Sequence, residues 1–402
     1  MIMIIIAVRS QPVCWPSVKA RHYSHCFQYF LPALRWLFFA LHLPSITTFS
    51  YRRSRAFLID SAHHFFSCLI PMKKKRPVLQ DVADRVGITK MTVSRYLRNP
   101  EQVSFALRDK IAAALDELGY IPNRAPDMLS NATSRAIGVL LPSLTNQVFA
   151  DVLRGIETVT DAAGYQTLVA HFGYNAEKEE LQLRSLLGWN IDGVILTERS
   201  HTPGSLRMLE TAGIPVIEMM DSLSPCLDMA VGFNNIEAAR QMTQAILRKG
   251  YRHTVYLGAR LDERTLQKQQ GYEQAMREAG LTPHSVMMEK ASSFSAGAML
   301  LHEARSRHPE TDSLFCTNDD LAVGAMFECQ RLGLQVPQDM AIAGFHGHDI
   351  CQVVNPRLAT VLTPREQMGE QAATMLLARI AGDNSKPKPC DIGFSILEGG
   401  SI

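Results

Sequence analysis

Lys90, Met91, Thr92, Ser94 and Arg95 crowd two cations, two hydroxyls and a flexible thioether into one short stretch of the chain. Those groups suit hydrogen bonds to base edges and phosphate oxygens. A second set lies beyond it. Ser143, Leu144, Thr145, Asn146 and Phe149 follow one apolar run, and Glu218 and Asp221 follow another. Lys268 stands in LDERTLQKQQGY, Asn318 and Asp319 follow SLFCT, His346 follows AIAGF, and Thr363 comes shortly after. Hydroxyls, amides and a few charges at strand ends are the chemistry of a small polar ligand held by hydrogen bonds. Asp319 has a plainer reading, as a carboxylate favoured by the positive end of a helix.

The first set needs an element to present it. Leu79 to Arg98, LQDVADRVGITKMTVSRYLR, has the pattern of two short helices across a tight turn. Ala83 is small enough for a close crossing, and Gly87 stands where the turn needs positive φ. Val82, Val86, Val93 and Leu97 fall on the inner faces, and Thr89 is placed to cap the second helix. Asn99-Pro100 breaks the chain, Ser104 is the N-cap expected of a third helix, and Leu107, Ile111, Leu115 and Leu118 give that helix its apolar stripe. Residues 72 to 124 hold eleven Lys and Arg against six Asp and Glu, a net of +5, although the whole chain carries only +2. That is the electrostatic footprint of a nucleic-acid-binding segment.

The second set needs strand ends. From Ala136 onward, AIGVLLP, YQTLVAHF, DGVILT and IPVIEMM alternate with amphipathic helical segments; after Gly232, HTVYLG, SLFC and MAIAGF form a second series. Alternation of this kind predicts parallel α/β layers. Two series imply two lobes with a ligand cleft between their strand ends.

At this point the chain resembles the lactose/galactose-repressor-type (LacI) family of bacterial transcription regulators. LQDVADRVGITKMTVSRYL, Val103-Ser104, Tyr120-Ile-Pro-Asn-Arg124 and the two-lobed body carry the resemblance, over residues 75 to 402. It implies an α + α/β architecture: a three-helix helix-turn-helix headpiece at 72–124, a hinge helix at 125–134, and a periplasmic-binding-protein-like effector and dimerisation domain at 135–402. The chain would cross between lobes near Gly232, Thr363 and Lys388. Lys90, Met91 and Arg95 would read bases, Thr92 and Ser94 would support them, and Asn123 and Arg124 would open the hinge. Leu129 would wedge into the minor groove. The resemblance further implies a homodimer, with pairing into tetramers left open, on near-palindromic double-stranded operator DNA in the cytoplasm.

Two departures concern the ligand. Lys268 stands where the family usually has arginine, and His346 where many sugar-responsive members have aspartate. Exchanging an anion for a potential cation favours a sugar acid over a neutral sugar. TKMTVSR, YIPNRAP, PSLTNQVFADVLRGIE, FCTNDD, IAGFHGHDI and EGGSI are similar to gluconate-responsive members, which implies D-gluconate as the effector that releases operator from a repressor of gluconate-utilisation genes. L-idonate-responsive members share several of these motifs, so both acids remain open.

No cofactor or metal is expected. The eight cysteines include no CxxC pair, Cys14, His22, His25 and Cys26 lack finger-like spacing, and His346, His348 and Asp349 lack a fourth ligand. No nucleophile-elbow, P-loop, dinucleotide-binding or zinc-protease motif points to an enzyme. A periplasmic sugar-binding protein would share the body but has no use for residues 76–134. Residues 1–71 form an atypical extension with no acidic residue before Asp60. No clean targeting signal or bilayer-spanning run occurs there, and the change of character at MKKKRPVLQDVA makes Met72 the expected start.

Overall fold

A computed structural model describes residues 76–123, 133–223, 225–385 and 389–402. The expected features at 1–71, at Arg124 and Leu129, over most of the hinge and at Lys388 lie outside these residues. The chain divides into two units, Met1–Pro122 and Asn123–Ile402.

In the first unit, α1 (Leu79–Val86) and α2 (Lys90–Arg98) are joined by the turn at Gly87, whose φ of 77° is left-handed and whose N–H donates to Ala83 O at 2.9 Å. Without a Cβ, glycine takes that conformation at no steric cost. A 3₁₀ turn at Pro100–Gln102 leads to α3 (Phe105–Leu118). Val82, Ala83, Val93, Val103, Ile111 and Ala114 are buried together, with Leu79, Val86, Leu97, Leu107, Leu115 and Leu118 packed around them. Ser104 stands at the N-cap of α3, but its side chain makes no capping bond. Arg108 instead ties the helix start down through Nε to Val103 O at 2.7 Å.

The second unit has two six-stranded sheets. The first-lobe sheet runs β11-β5-β4-β3-β1-β2, built from β1 (Ala136–Leu141), β2 (Gln166–His171), β3 (Gly193–Leu196), β4 (Val216–Met219), β5 (Met229–Gly232) and β11 (Cys390–Asp391). The second-lobe sheet runs β12-β10-β9-β8-β6-β7, from β6 (Thr254–Ala259), β7 (His284–Met288), β8 (Ser313–Cys316), β9 (Ala341–His346), β10 (Ala359–Leu362) and β12 (Ser395–Leu397). All pairings are parallel except β10 with β12. The strand AIGVLL is apolar throughout because both faces are covered. Ile137, Val139 and Leu141 pack with α4 (Gln147–Ala162) and α12 (Arg365–Ile380), while Ala136 and Leu140 pack with α5 (Ala176–Gly188) and α6 (Pro203–Ala212). In the second lobe, α7 (Asn235–Arg248) and α8 (Glu263–Glu278) cover one face. The other is covered by α9 (Phe294–Arg307) and α10 (Asp319–Arg331). A single turn, α11 (Ile350–Val353), follows β9.

Among the described residues the chain passes between the lobes three times, after β5, after β10 and between β11 and β12. The last passage falls at Ile392–Phe394 rather than near Lys388. Cys390 still pairs with Val231, and Ile392 N–H donates to Gly232 O at 2.9 Å, so the chain stays in the first lobe longer than its sequence suggested.

The helix α12 returns to the first lobe and crosses α4 backbone to backbone. A Cβ added at Gly155 would stand 2.0 Å from Glu366 O, and one at Gly369 would stand 2.0 Å from Val152 O. Neither neighbour is a side chain that can swing aside. Gly155→Ala should therefore destabilise the body by roughly 1–3 kcal/mol through forced separation of the helices. An unchanged urea midpoint would show that the crossing tolerates a methyl group.

Candidate functional site

The helix α2 is rooted at its N-terminus by Thr89, whose hydroxyl accepts the N–H of Thr92 at 3.3 Å. Val93 is fully buried and Leu97 packs on the headpiece core. A 100° advance per residue therefore turns Met91 and Arg95 to the opposite side and Ser94 to the flank, while Lys90 is left open at the helix start. Lys90, Met91 and Arg95 are exposed, Met91 at 74%, an unusual display for an apolar side chain. Thr92 is half-buried, its hydroxyl 3.0 Å from that of Thr89, and Ser94 accepts from Arg98 Nη2 at 2.9 Å. Asn123 is exposed at the last described position of this segment.

The body holds a polar cavity between its lobes. Asn146, Phe149, Lys268, Asn318 and His346 line it, and so do Tyr174, Asn235, Arg260, Asp262 and Arg264. Asn146 caps α4, its Oδ1 accepting from Val148 N at 3.0 Å. Asn318 caps α10 in the same way, from Leu321 N at 3.2 Å, while its amide donates to Ser292 Oγ at 2.7 Å. Lys268 is buried one turn into α8. Its ammonium donates to Thr317 O at 3.0 Å, meets His346 Nε2 at 3.1 Å and lies 4.0 Å from the centre of the Phe345 ring. Burial is the main reason its pKa falls to about 7. Burial and the adjacent Lys268 also hold His346 well below its ordinary value, so its ring is neutral at pH 7. A neutral ring that accepts at Nε2 carries its proton on Nδ1, which faces Thr363 Oγ1 at 3.5 Å.

Contacts across the cleft close it. Arg264 of the second lobe donates to Thr197 O at 2.5 Å and Glu198 Oε1 at 2.6 Å in the first. Gln267 donates to Asp221 Oδ2 at 2.7 Å, and the Arg260 guanidinium lies 3.9 Å from the centre of the Tyr174 ring. Around the cavity, Tyr174, Met220, Arg260 and His346 all hold positive φ, from 59° to 106°. Such strain in non-glycine residues gathers where surrounding structure enforces a binding geometry.

Seven sequence-derived candidates stand outside the cavity lining: Leu144 and Thr145 in the loop after β1, and five whose polar groups are spent within the protein. Ser143 lies in the loop after β1, its hydroxyl accepting from Asn146 N at 3.1 Å and Thr145 N at 3.3 Å. Glu218 is within β4 rather than after it, and it points into the first lobe. There it accepts from Leu227 N at 2.6 Å and faces Arg199 Nε at 3.4 Å and His201 Nε2 at 3.6 Å. His201 Nδ1 also meets Glu179 at 3.0 Å, and although burial lowers its pKa the two neighbouring carboxylates raise it to about 9. Asp221 is committed to Gln267 and to Leu223 N. Asp319, fully buried, accepts from Thr360 Oγ1 at 2.7 Å and His348 N at 2.8 Å, clamping α10 to the strand ends beneath the cavity. Thr363 serves His346 from behind. In each case a nearer protein partner takes the group that the strand-end rule offered to a ligand.

Sequence reasoning missed Tyr174, Asn235, Arg260, Asp262 and Arg264. GARLDER carried a usable signal, four charged residues among the five directly after a buried strand; nothing local marked Tyr174.

Residues 134–396 match the family described as periplasmic binding proteins and sugar binding domain of LacI family. Residues 78–123 match the bacterial regulatory proteins, lacI family. The chain belongs to the LacI family. It is similar to the HTH-type transcriptional regulator GntR of Escherichia coli (strain K12), 73% identical over 331 residues, which are 82% of this chain and 100% of that protein. The HTH-type transcriptional regulator IdnR of the same organism is 45% identical over 332 residues, again 82% of this chain and 100% of that protein. Among solved structures, a LacI-family transcriptional regulator from Silicibacter pomeroyi superposes with a TM-score of 0.75 at 32% identity, over 81% of this chain and 99% of that one. As a LacI-family member the chain is a DNA-binding transcription regulator that answers a sugar-type effector, and not an enzyme. No helix among the described residues is long and apolar enough to cross a membrane.

Proposed function

We propose that this regulator represses gluconate-utilisation genes in the cytoplasm and leaves its operator when D-gluconate fills the cleft. The charge of the cavity carries the reading. Arg260, Arg264 and Lys268 line it against one carboxylate, Asp262, and Glu198 neutralises Arg264 from just outside. With Lys268 protonated, one positive charge is left over, which suits a monoanion with several hydroxyls. The similarity to GntR of E. coli supports the same ligand.

On this reading Lys90, Met91 and Arg95 read bases, with Thr92 and Ser94 beside them, and Asn123, Arg124 and Leu129 serve the hinge. Asn146, Phe149, Lys268, Asn318 and His346 face the effector, while Thr363 holds His346. A homodimer places two α2 helices in successive major grooves of a near-palindromic site. Effector binding changes the closure held by Arg264–Glu198 and Gln267–Asp221, and operator affinity falls. By linkage, operator must weaken effector binding by the same factor.

The test is the binding of the full chain to DNA from upstream of gluconate-utilisation genes, titrated with D-gluconate, L-idonate and D-glucose. Release by gluconate at lower concentration than by the others is expected. Release by glucose alone would sink the sugar-acid reading, and release by idonate at the lowest concentration would transfer the role to that acid.

Lys268 also gives the effector response a pH dependence. The anion favours the charged ammonium, whose pKa in the free cleft is about 7. Below that value the site is already protonated; above it, each pH unit should raise the gluconate concentration for half-release about tenfold. A flat response between pH 7 and 8.5 would separate Lys268 from the bound charge.

A further inference from the structure

The cations around the cavity differ in how far the protein itself uses them. Arg264 gives its terminal N–H groups to Thr197 O and Glu198, and Lys268 donates to Thr317 O and His346. The Arg260 side chain donates no hydrogen bond among the described residues. Its Nε is buried without a partner, and the Asp262 carboxylate stays 3.6 Å away. Only 15% of the side chain is exposed, and the Tyr174 ring face lies against the guanidinium at 3.9 Å. An aromatic face offsets part of the charge but accepts none of the five N–H groups in any useful geometry. The backbone is held in position as well: φ is 76°, and Arg260 N–H donates to Met288 O at 2.8 Å. A guanidinium whose Nε is buried without an acceptor is a costly arrangement unless a ligand supplies an oxygen atom. On the same cavity lining, Asn235 Oδ1 is likewise buried without a donor.

We infer that Arg260 is the residue that reads the effector's carboxylate, and that it sets the preference for a sugar acid over a neutral molecule with the same hydroxyl chain. The planar fork of arginine matches the two carboxylate oxygens, which a single ammonium cannot do. Asn235 takes a hydroxyl of the same ligand and so helps to orient its chain against Arg260. The inference rests on the sugar-acid reading above.

The experiment compares calorimetric binding of D-gluconate and D-gluconamide, its neutral amide, to the full chain and to Arg260→Gln and Arg260→Lys. The wild-type chain should prefer gluconate by at least tenfold. Arg260→Gln should lose gluconate affinity by on the order of tenfold to a hundredfold, the range for a hydrogen-bonded charge. Its gluconamide affinity should stay within about threefold of wild type, and Arg260→Lys should recover part of the preference. The amide serves as the internal control for folding, because a variant that had lost the cleft would lose both ligands. Equal loss of both ligands, or an unchanged gluconate preference in Arg260→Gln, overturns the role of Arg260. Absence of gluconate binding by the wild-type chain overturns the sugar-acid reading itself, and the inference with it.

Discussion

Lys268→Met should leave the protein bound to operator at gluconate concentrations that release the wild type. Methionine matches the length of the lysine stem and fills the same buried space between Phe345 and the end of β8. It removes the charge facing the anion, and it leaves Thr317 O and His346 Nε2 without their donor. Losing a charged hydrogen bond while stranding a buried acceptor costs about 3 kcal/mol, a shift in half-release concentration of about a hundredfold or more. Operator affinity without effector should not change, because no headpiece residue is touched. Ordinary release of the variant by gluconate would refute the part given to Lys268. Stability supplies an independent check. The ammonium has a pKa of about 7 when folded, against an ordinary 10.5. Between those values the unfolded chain binds a proton that the folded chain has given up, so the native protein gains stability from this group as pH rises through 7 to 10.5. The methionine variant should lose that rise. It should also be relatively more stable than wild type below pH 7, where the wild type holds a buried charge.

Arg95→Ala should weaken operator binding by about 1–3 kcal/mol and relax the preference at one base pair. Arg95 is exposed on α2, while the headpiece core is built from Val82, Ala83, Val93, Val103, Ile111 and Ala114, so the fold has no stake in its side chain. Anisotropy titrations against single-base operator variants, repeated across salt concentrations, separate two roles. A base contact loses discrimination at its own position; a phosphate contact weakens every sequence alike and reduces the salt slope by about one. Unchanged affinity would mean that a different face of α2 meets DNA.

The headpiece was legible in the sequence almost residue by residue, and the reason is local. Helix period, the left-handed turn at Gly87 and the cap at Thr89 all operate within a few residues, and the three helices bury one small stripe each. The strand series of the body was legible for a similar reason, since strands covered on both faces must be apolar along their whole length. The edge strands β7, β11 and β12 escaped notice, being short or only partly buried; the interior strands β5 and β10 were missed as well, each only four residues long.

The cleft was only half legible. Strand-end placement found Asn146, Phe149, Lys268, Asn318 and His346, because a parallel sheet presents its carboxyl ends to the crevice. That rule names which loops face the ligand, and it is silent on which side chains the protein consumes. Asp319 and Glu218 were offered to the ligand by position and taken by Thr360, His348 and Leu227. Arg264 found Glu198, 66 residues away in the chain, and Arg260 found the Tyr174 ring across the lobes. The sequence by itself determined the class of machine: a basic three-helix reader followed by two parallel α/β lobes, each encoded by short-range periodicity. Only the tertiary structure decided which charges remain for a ligand, because whether a charged group is spent depends on partners that folding brings within 3 Å and that no spacing along the chain records.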